Sequence, residues 1–143
     1  MPDFPRTVII GVAESDAHAV ANQLIAMQLR RSGFVVVNLG VCTPLVEFAE
    51  ALRTNPDAEA IIIGSLNGHA LEDLACLPEL RAAGAITCPV ILGGNLSVGS
   101  VKDAATAGRL RRLGVDHVLG DLDELAPLLN TLRTAHEAVR STH

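Results

Sequence analysis

A chain of 143 residues with 49% hydrophobic content is long enough to bury a core and too apolar to remain disordered. A net charge of −5, from 16 acidic and 11 basic residues, removes the electrostatic support that nucleic-acid binding needs. Three Phe with no Trp or Tyr argue against aromatic platforms for bases or flavins and leave the core to Val, Ile, Leu and Ala.

Apolar runs of strand length alternate with helical patterns. Residues 7–13 read as the first strand and 17–32 as the first helix, with Val20, Leu24, Met27 and Leu29 as its buried stripe and Gly33 as its C-terminal cap. Residues 34–39 read as a second, fully buried strand. Thr43-Pro44 opens the second helix with a hydroxyl cap and a first-turn proline, and Leu45, Phe48 and Leu52 line one face. Asn55-Pro56-Asp57 is a turn, residues 60–63 a third strand, and a third helix runs to about residue 83, before Gly84. Residues 89–92 form the fourth strand and 102–113 the fourth helix, capped by Gly114. Residues 115–119 form a short edge strand, and a last helix reaches about residue 139. The expectation is one domain, 1–143, with flexible ends at 1–6 and 140–143.

Five β-α units with near-continuous apolar strands specify an α/β fold. It is a doubly wound, five-stranded parallel sheet of flavodoxin-like order 2-1-3-4-5, with helices on both faces. The loops after strands one, three and four then share the carboxyl edge, where open α/β sheets bind ligands. Cys42, Cys76 and Cys88 are odd in number, far apart and without a CxxC pair. No signal-peptide core and no run of transmembrane length is present. A cytoplasmic, reducing location without a zinc site or membrane contact is expected.

The three loops on that edge are unusual in composition. The first carries Glu14-Ser15-Asp16-Ala17-His18, and an Asp two residues before a His can hold one ring nitrogen's proton while the other nitrogen ligates a metal. The plainer alternative is an exposed first-turn histidine with Ser15 or Asp16 as helix cap. Gly64-Ser65-Leu66-Asn67-Gly68 and Gly93-Gly94-Asn95 are slim loops that leave room above the sheet. A phosphoacceptor role fails because the third strand ends in Gly64-Ser65 rather than an Asp. A flavin or dinucleotide role fails because the first loop is acidic and lacks G-x-G-x-x-G.

These residues resemble the cobalamin-binding domains that hold the corrinoid with its own base displaced. That signature is D-x-H-x-x-G, about forty residues, S-x-L, under thirty residues, then G-G. It falls on Asp16-Ala17-His18-Ala19-Val20-Ala21, Gly64-Ser65-Leu66 and Gly93-Gly94, with gaps of 42 and 26 residues. Along nearly its whole length the chain is also similar to the small-subunit family of glutamate mutase (methylaspartate mutase). The match includes Gly33-Phe34-x-Val36-Val37-Asn38-x-Gly40-Val41 and Gly93-Gly94-Asn95 through Val98-Gly99.

The resemblance implies an adenosylcobalamin cofactor with His18 as the cobalt axial ligand and Asp16 behind it. It implies cofactor contacts from Ser15, Asp16, Ala17, His18, Ala19, Val20, Gly64, Ser65, Leu66, Asn67, Gly68, Gly93, Gly94, Asn95 and Gly120. It further implies a large barrel-type mutase subunit carrying the substrate site, no catalytic residue in this chain alone, and a radical 1,2 carbon-skeleton rearrangement of L-glutamate to 3-methylaspartate or a related amino acid. Ala21 stands where the family has Gly, and Gly64 where it has the first Ser of S-x-L. The second change removes a hydroxyl donor worth about 1 kcal/mol, with Ser65 as the adjacent substitute. A corrinoid carrier for methyl transfer and a non-enzymatic corrinoid sensor or cofactor-lost module are the alternatives.

Overall fold

The computed structural model describes residues 6–14, 19–65, 69–93, 104–119 and 122–141. In chain order they form β1 (Arg6–Val12), α1 (Ala19–Arg31), β2 (Phe34–Asn38), α2 (Leu45–Thr54), β3 (Ile61–Gly64), α3 (Ala70–Asp73), α4 (Leu77–Ala82), β4 (Val90–Gly93), α5 (Ala104–Leu113), β5 (His117–Val118), a 3-10 turn (Leu122–Glu124) and α6 (Leu125–Ser141). All strand pairs are parallel and the sheet order is β2-β1-β3-β4-β5. The doubly wound sheet expected from the alternating apolar runs is the one that forms.

Alternation along the strands divides the core in two. Ile9, Ile61, Ile63, Val90 and Leu92 pack under Phe48 and Leu52 of α2, Leu77 of α4 and Leu110 of α5. Val8, Ile10, Ile62 and Ile91 pack on the other face against Ala26 and Leu29 of α1 and Leu125 and Leu129 of α6. Each such aliphatic side chain, fully buried, contributes about 1.5–3 kcal/mol relative to exposure. Phe48 is the large side chain of the first cluster, and it fits because Gly11 lies beneath it. A Cβ at Gly11 would come within 2.7 Å of the Phe48 ring.

Several local expectations are corrected by tertiary context. The buried stripe of α1 is Asn22, Ala26 and Leu29, whereas Val20, Leu24 and Met27 are 73%, 54% and 48% exposed. The helix carries two candidate faces, and the sheet takes the one whose residues are small enough, or hydrogen-bonded enough, to approach it. β2 is an edge strand rather than a fully buried one. Phe34 is covered, but Val35 is exposed, and among the described residues no strand pairs beyond β2.

Thr43 does not cap α2. Pro44 takes the N-cap position, and the buried Thr43 hydroxyl turns back to the carbonyls of Leu39, Gly40 and Val41. The third helical stretch breaks into α3 and α4, with Leu74, Ala75 and Cys76 forming a turn between them. Arg6 is not a loose end but the first residue of β1, and α6 continues through Arg140 to Ser141. Gly33 closes α1 at φ 95, as its lack of a Cβ permits. Among the described residues, no helix is long and apolar enough to cross a membrane.

Candidate functional site

Register decides where the three unusual loops leave the sheet. Val12, Gly64 and Gly93 are direct neighbours across β1, β3 and β4, so all three strands end at one level. The ladder continues one step further. The Ala13 amide donates to the Gly64 carbonyl at 2.9 Å, and the Ser65 amide donates to the Gly93 carbonyl at 2.9 Å. The strand ends that feed the three loops therefore lie at one edge, as expected, while the loops beyond them lie outside the described residues.

Side-chain alternation then assigns faces. Gly64 follows Ile62, and Gly93 follows Ile91, so both glycines lie on the face covered by α1 and α6. Neither Cβ position is filled. The nearest atom to a Cβ at Gly64 is the Gly11 carbonyl oxygen at 3.9 Å, and at Gly93 it is Leu119 Cβ at 3.9 Å. Among the described residues, two adjacent strands thus present bare backbone side by side, a slot on the α1–α6 face at the carboxyl edge. A flat heterocycle fits such a slot better than any branched side chain would allow.

Ser65 faces the other way. It continues the ladder as Ile61 and Ile63 do, which turns its side chain toward the α2–α5 face. The expectation that Ser65 replaces the hydroxyl missing at Gly64 is therefore corrected: the two positions are on opposite faces of the sheet. The Ser65 hydroxyl is fully buried and, among the described residues, has no hydrogen-bond partner. Burying an unpaired hydroxyl costs about 1–3 kcal/mol, and such costs concentrate at functional edges.

The expected site residues are only partly within the described chain. Gly64, Ser65 and Gly93 are brought together as above, and Ala19 and Val20 open α1 with exposed side chains. Ser15, Asp16, Ala17, His18, Leu66, Asn67, Gly68, Gly94, Asn95 and Gly120 lie outside the described residues. Glu14 is exposed at the end of the first strand's extension, and His69 is exposed after the second loop, its Nδ1 2.8 Å from Glu72 Oε2. Among the described residues, no group of three or more His, Cys, Asp or Glu is placed to hold a metal ion. A metal at this edge would therefore depend on the loop that carries Asp16 and His18.

Two residues of the edge were not singled out as site residues by sequence reasoning. Asn22 is 7% exposed on the sheet-facing side of α1, and its Nδ2 donates to Asn38 Oδ1 at 2.8 Å. Asn38 Oδ1 also accepts the Gly40 amide at 2.9 Å. The signal was present in the spacing: Asn22, Ala26 and Leu29 share one helical face, and an asparagine on a buried face requires a partner.

Comparison with known proteins gives three findings. The model of the B12-binding domain family matches residues 6–127. The chain is 37% identical over 142 residues to the glutamate mutase sigma subunit of Halobacterium salinarum, covering 88% of this chain and 95% of that one. It is 43% identical over 116 residues to glutamate mutase sigma subunit 1 of Haloarcula marismortui, covering 80% and 76%.

Among solved structures, the monomethylamine corrinoid protein of Methanosarcina barkeri superposes with a TM-score of 0.70 at 21% identity. A cobalamin-binding protein from Desulfitobacterium hafniense gives 0.67 at 18%. These two cover 90% and 93% of this chain, which spans 57% and 58% of their lengths. At such identities the structural likeness speaks for the fold alone.

Proposed function

The chain belongs to the B12-binding domain family, among the glutamate mutase sigma subunits, and from that premise we propose that it is the cobalamin-binding small subunit of an adenosylcobalamin-dependent carbon-skeleton mutase acting on glutamate or a related amino acid. The observation that carries this reading is the pair of bare glycines, Gly64 and Gly93, in register on the α1–α6 face at the carboxyl edge. That slot lies beside the strand that feeds the Asp16–His18 loop, and it fits the flat base at the end of a corrinoid's nucleotide tail.

In this reading His18 ligates cobalt through one imidazole nitrogen. Asp16 accepts the proton of the other nitrogen, which fixes the ring's tautomer and raises its basicity. Ser15, Ala17, Ala19 and Val20 would contact the cofactor, as would Leu66, Asn67, Gly68, Gly94, Asn95 and Gly120 together with Gly64, Ser65 and Gly93. Adenosylcobalamin supplies radical chemistry when bound; the chain's own residues bind it, orient it and keep its tail dry.

The substrate site belongs to a large barrel-type partner subunit, so this chain has no activity alone. We place it as one domain, 1–143, in the cytoplasm. A methyl carrier or a sensor would use the same slot. The relatives at 37–43% identity, however, are glutamate mutase sigma subunits, while the monomethylamine corrinoid protein stands at 21%.

The test is a visible-absorption titration of the chain with hydroxocobalamin beside a His18→Ala variant. Wild type is expected to displace the cofactor's own base and give the histidine-ligated spectrum. The variant should lose about a hundredfold in affinity and keep the unligated spectrum. Identical spectra for both would overturn the histidine reading. Mutase activity appearing only when a glutamate mutase large subunit is added would support the assignment, and none with loaded chain and partner together would overturn it.

A further inference from the structure

Among the described residues, the outer rim of β2 is an unpaired sheet edge five residues long. The Leu39 amide donates to the Ile10 carbonyl at 2.8 Å, so Val35, Val37 and Leu39 turn their backbone groups toward β1. Because the pairing alternates, the N–H and C=O groups of Phe34, Val36 and Asn38 point outward, where no described strand meets them. Proteins that stay monomeric blunt such edges with charge, proline, a bulge or shortness. β5, at the other edge, is two residues long. Phe34-Val35-Val36-Val37-Asn38 instead carries no charge and no proline, and its register with β1 is unbroken.

The side chains beside this rim fit a second copy of the same strand. Val36 packs against the α1–α6 cluster and Val37 against the α2–α5 cluster. Val35 shares a face with Val37, but α2 covers inner strands through Phe48 and Leu52, which leaves Val35 48% exposed. Two such strands, run antiparallel about a two-fold axis at Val36, set Val36 opposite Val36 and Phe34 opposite Asn38. Each of these pairs exchanges two backbone hydrogen bonds, so every outward group of the strand is satisfied. Between them Val35 meets Val37 of the second copy, a β-branched cross-strand pair that covers its exposed surface.

The helical layer admits this approach. Val8, Ile10 and Phe34 pack with Ala26 and Leu29, so α1 lies over the β1–β2 pair. The two α1 helices would then stand two strand spacings, about 10 Å, apart, an ordinary helix packing distance. Ile25, Gln28 and Ser32 line the groove toward α6. The opposite flank of α1 carries Gln23, Met27 and Arg30, all exposed, and their unbranched side chains can settle against their equivalents.

We propose that this chain forms a two-fold dimer through β2, joining two five-stranded sheets into one continuous sheet. The paired strands run antiparallel, so the carboxyl edges of the two copies face opposite ways and both stay open. The dimer rests on β2 and α1 alone and holds whether or not the ligand reading does.

The test is sedimentation velocity of wild type, Val35→Thr, Val35→Lys and Val35→Glu from about 1 to about 500 µM, a range that spans weak and standard interfaces. Wild type is expected to pass from one chain to two across that range. Val35→Thr keeps the β-branch and should dimerise as wild type does. Position 35 of one copy lies diagonal to position 35 of the other, so Val35→Lys and Val35→Glu each bring like charges together and should weaken the dimer about tenfold. An equal mixture of the two charged variants should recover the loss as a heterodimer.

Wild type that stays monomeric throughout would overturn the proposal, and so would a dimer indifferent to charge at position 35. Failure of both charged variants to fold, judged by thermal unfolding, would assign Val35 to the protomer's own core and likewise overturn it. A mixture no better than either charged variant would overturn the antiparallel pairing about Val36. A monomeric wild type that binds a glutamate mutase large subunit, with binding lost in Val35→Lys, would give this edge to that subunit and not to a second copy.

Discussion

The two edges of the sheet are built on opposite plans. At the amino edge, two arginines bind strands and helices together. Arg6 forms a two-pronged pair with Glu59, with contacts of 2.9 and 3.0 Å, reaches Asn130 Oδ1 at 2.7 Å, and stacks 4.5 Å over the Phe34 ring. Arg81 donates to the carbonyls of Cys88 and Gly114 and to Asp116, at 2.7–2.9 Å, and Asp116 also accepts the Val90 amide. At the carboxyl edge, Gly64 and Gly93 carry no side chain, and Ser65 buries a hydroxyl that no described residue satisfies. Among the described residues, the amino edge is held by charged side chains that reach several elements at once, whereas the ends of β3 and β4 at the carboxyl edge are held by backbone hydrogen bonds.

The largest effect should come from cutting an amino-edge link. Arg81→Ala removes one cation from four acceptors and is expected to cost about 3 kcal/mol in urea unfolding, without altering corrinoid affinity below the transition. A folded variant with weakened cofactor binding would break the division between edges.

Next is the one glycine near the carboxyl edge whose space is taken. Gly11→Ala drives a methyl into the Phe48 ring and should cost about 2 kcal/mol, whereas Gly64→Ala, whose methyl meets the Gly11 carbonyl oxygen at an ordinary 3.9 Å, should cost under about 1 kcal/mol. Equal losses would mean that the slot at Gly64 is already filled.

Smaller and opposite in sign is Ser65→Ala. Removing an unpaired buried hydroxyl should raise stability by about 1 kcal/mol in the free chain. A loss instead would reveal a partner for that group. On the α1–α6 face, Gly64→Ser should tighten hydroxocobalamin several-fold and leave diaquocobinamide unchanged, because it adds a donor only toward the tail.

The subtlest effect lies beneath Arg81. Burial pushes the Cys88 thiol up from 9.0 to about 11, against the opposing pull of the Arg81 guanidinium. The native state therefore keeps a proton that the unfolded chain releases. Its contribution to stability is full below about pH 9 and is lost as the pH rises toward 11. Cys88→Ala should flatten that part of the unfolding profile. At neutral pH, a thiol reagent should modify the exposed Cys42 and Cys76 far faster than Cys88.

Much of this was legible before any coordinates. Runs such as Val8-Ile9-Ile10 and Ile61-Ile62-Ile63 admit one reading as buried parallel strands, and glycines after each helical pattern mark where the helices stop. From there the order 2-1-3-4-5 follows from right-handed crossovers. The motif spacing pointed to the same edge that the register Val12, Gly64, Gly93 brings level.

What periodicity could not decide was which of two surfaces an element buries. Val20, Leu24 and Met27 form as good an apolar stripe as Ala26 and Leu29, and the choice between them depends on Asn38, sixteen residues beyond Asn22, accepting its amide. Val35 has the composition of a core residue, yet it is exposed on β2, beyond which no described strand pairs. Composition and spacing by themselves determined the strands, their order and the edge at which β1, β3 and β4 end level. Only the tertiary structure decided which faces close, because burial and hydrogen bonding belong to pairs of segments distant in the chain and not to any one of them.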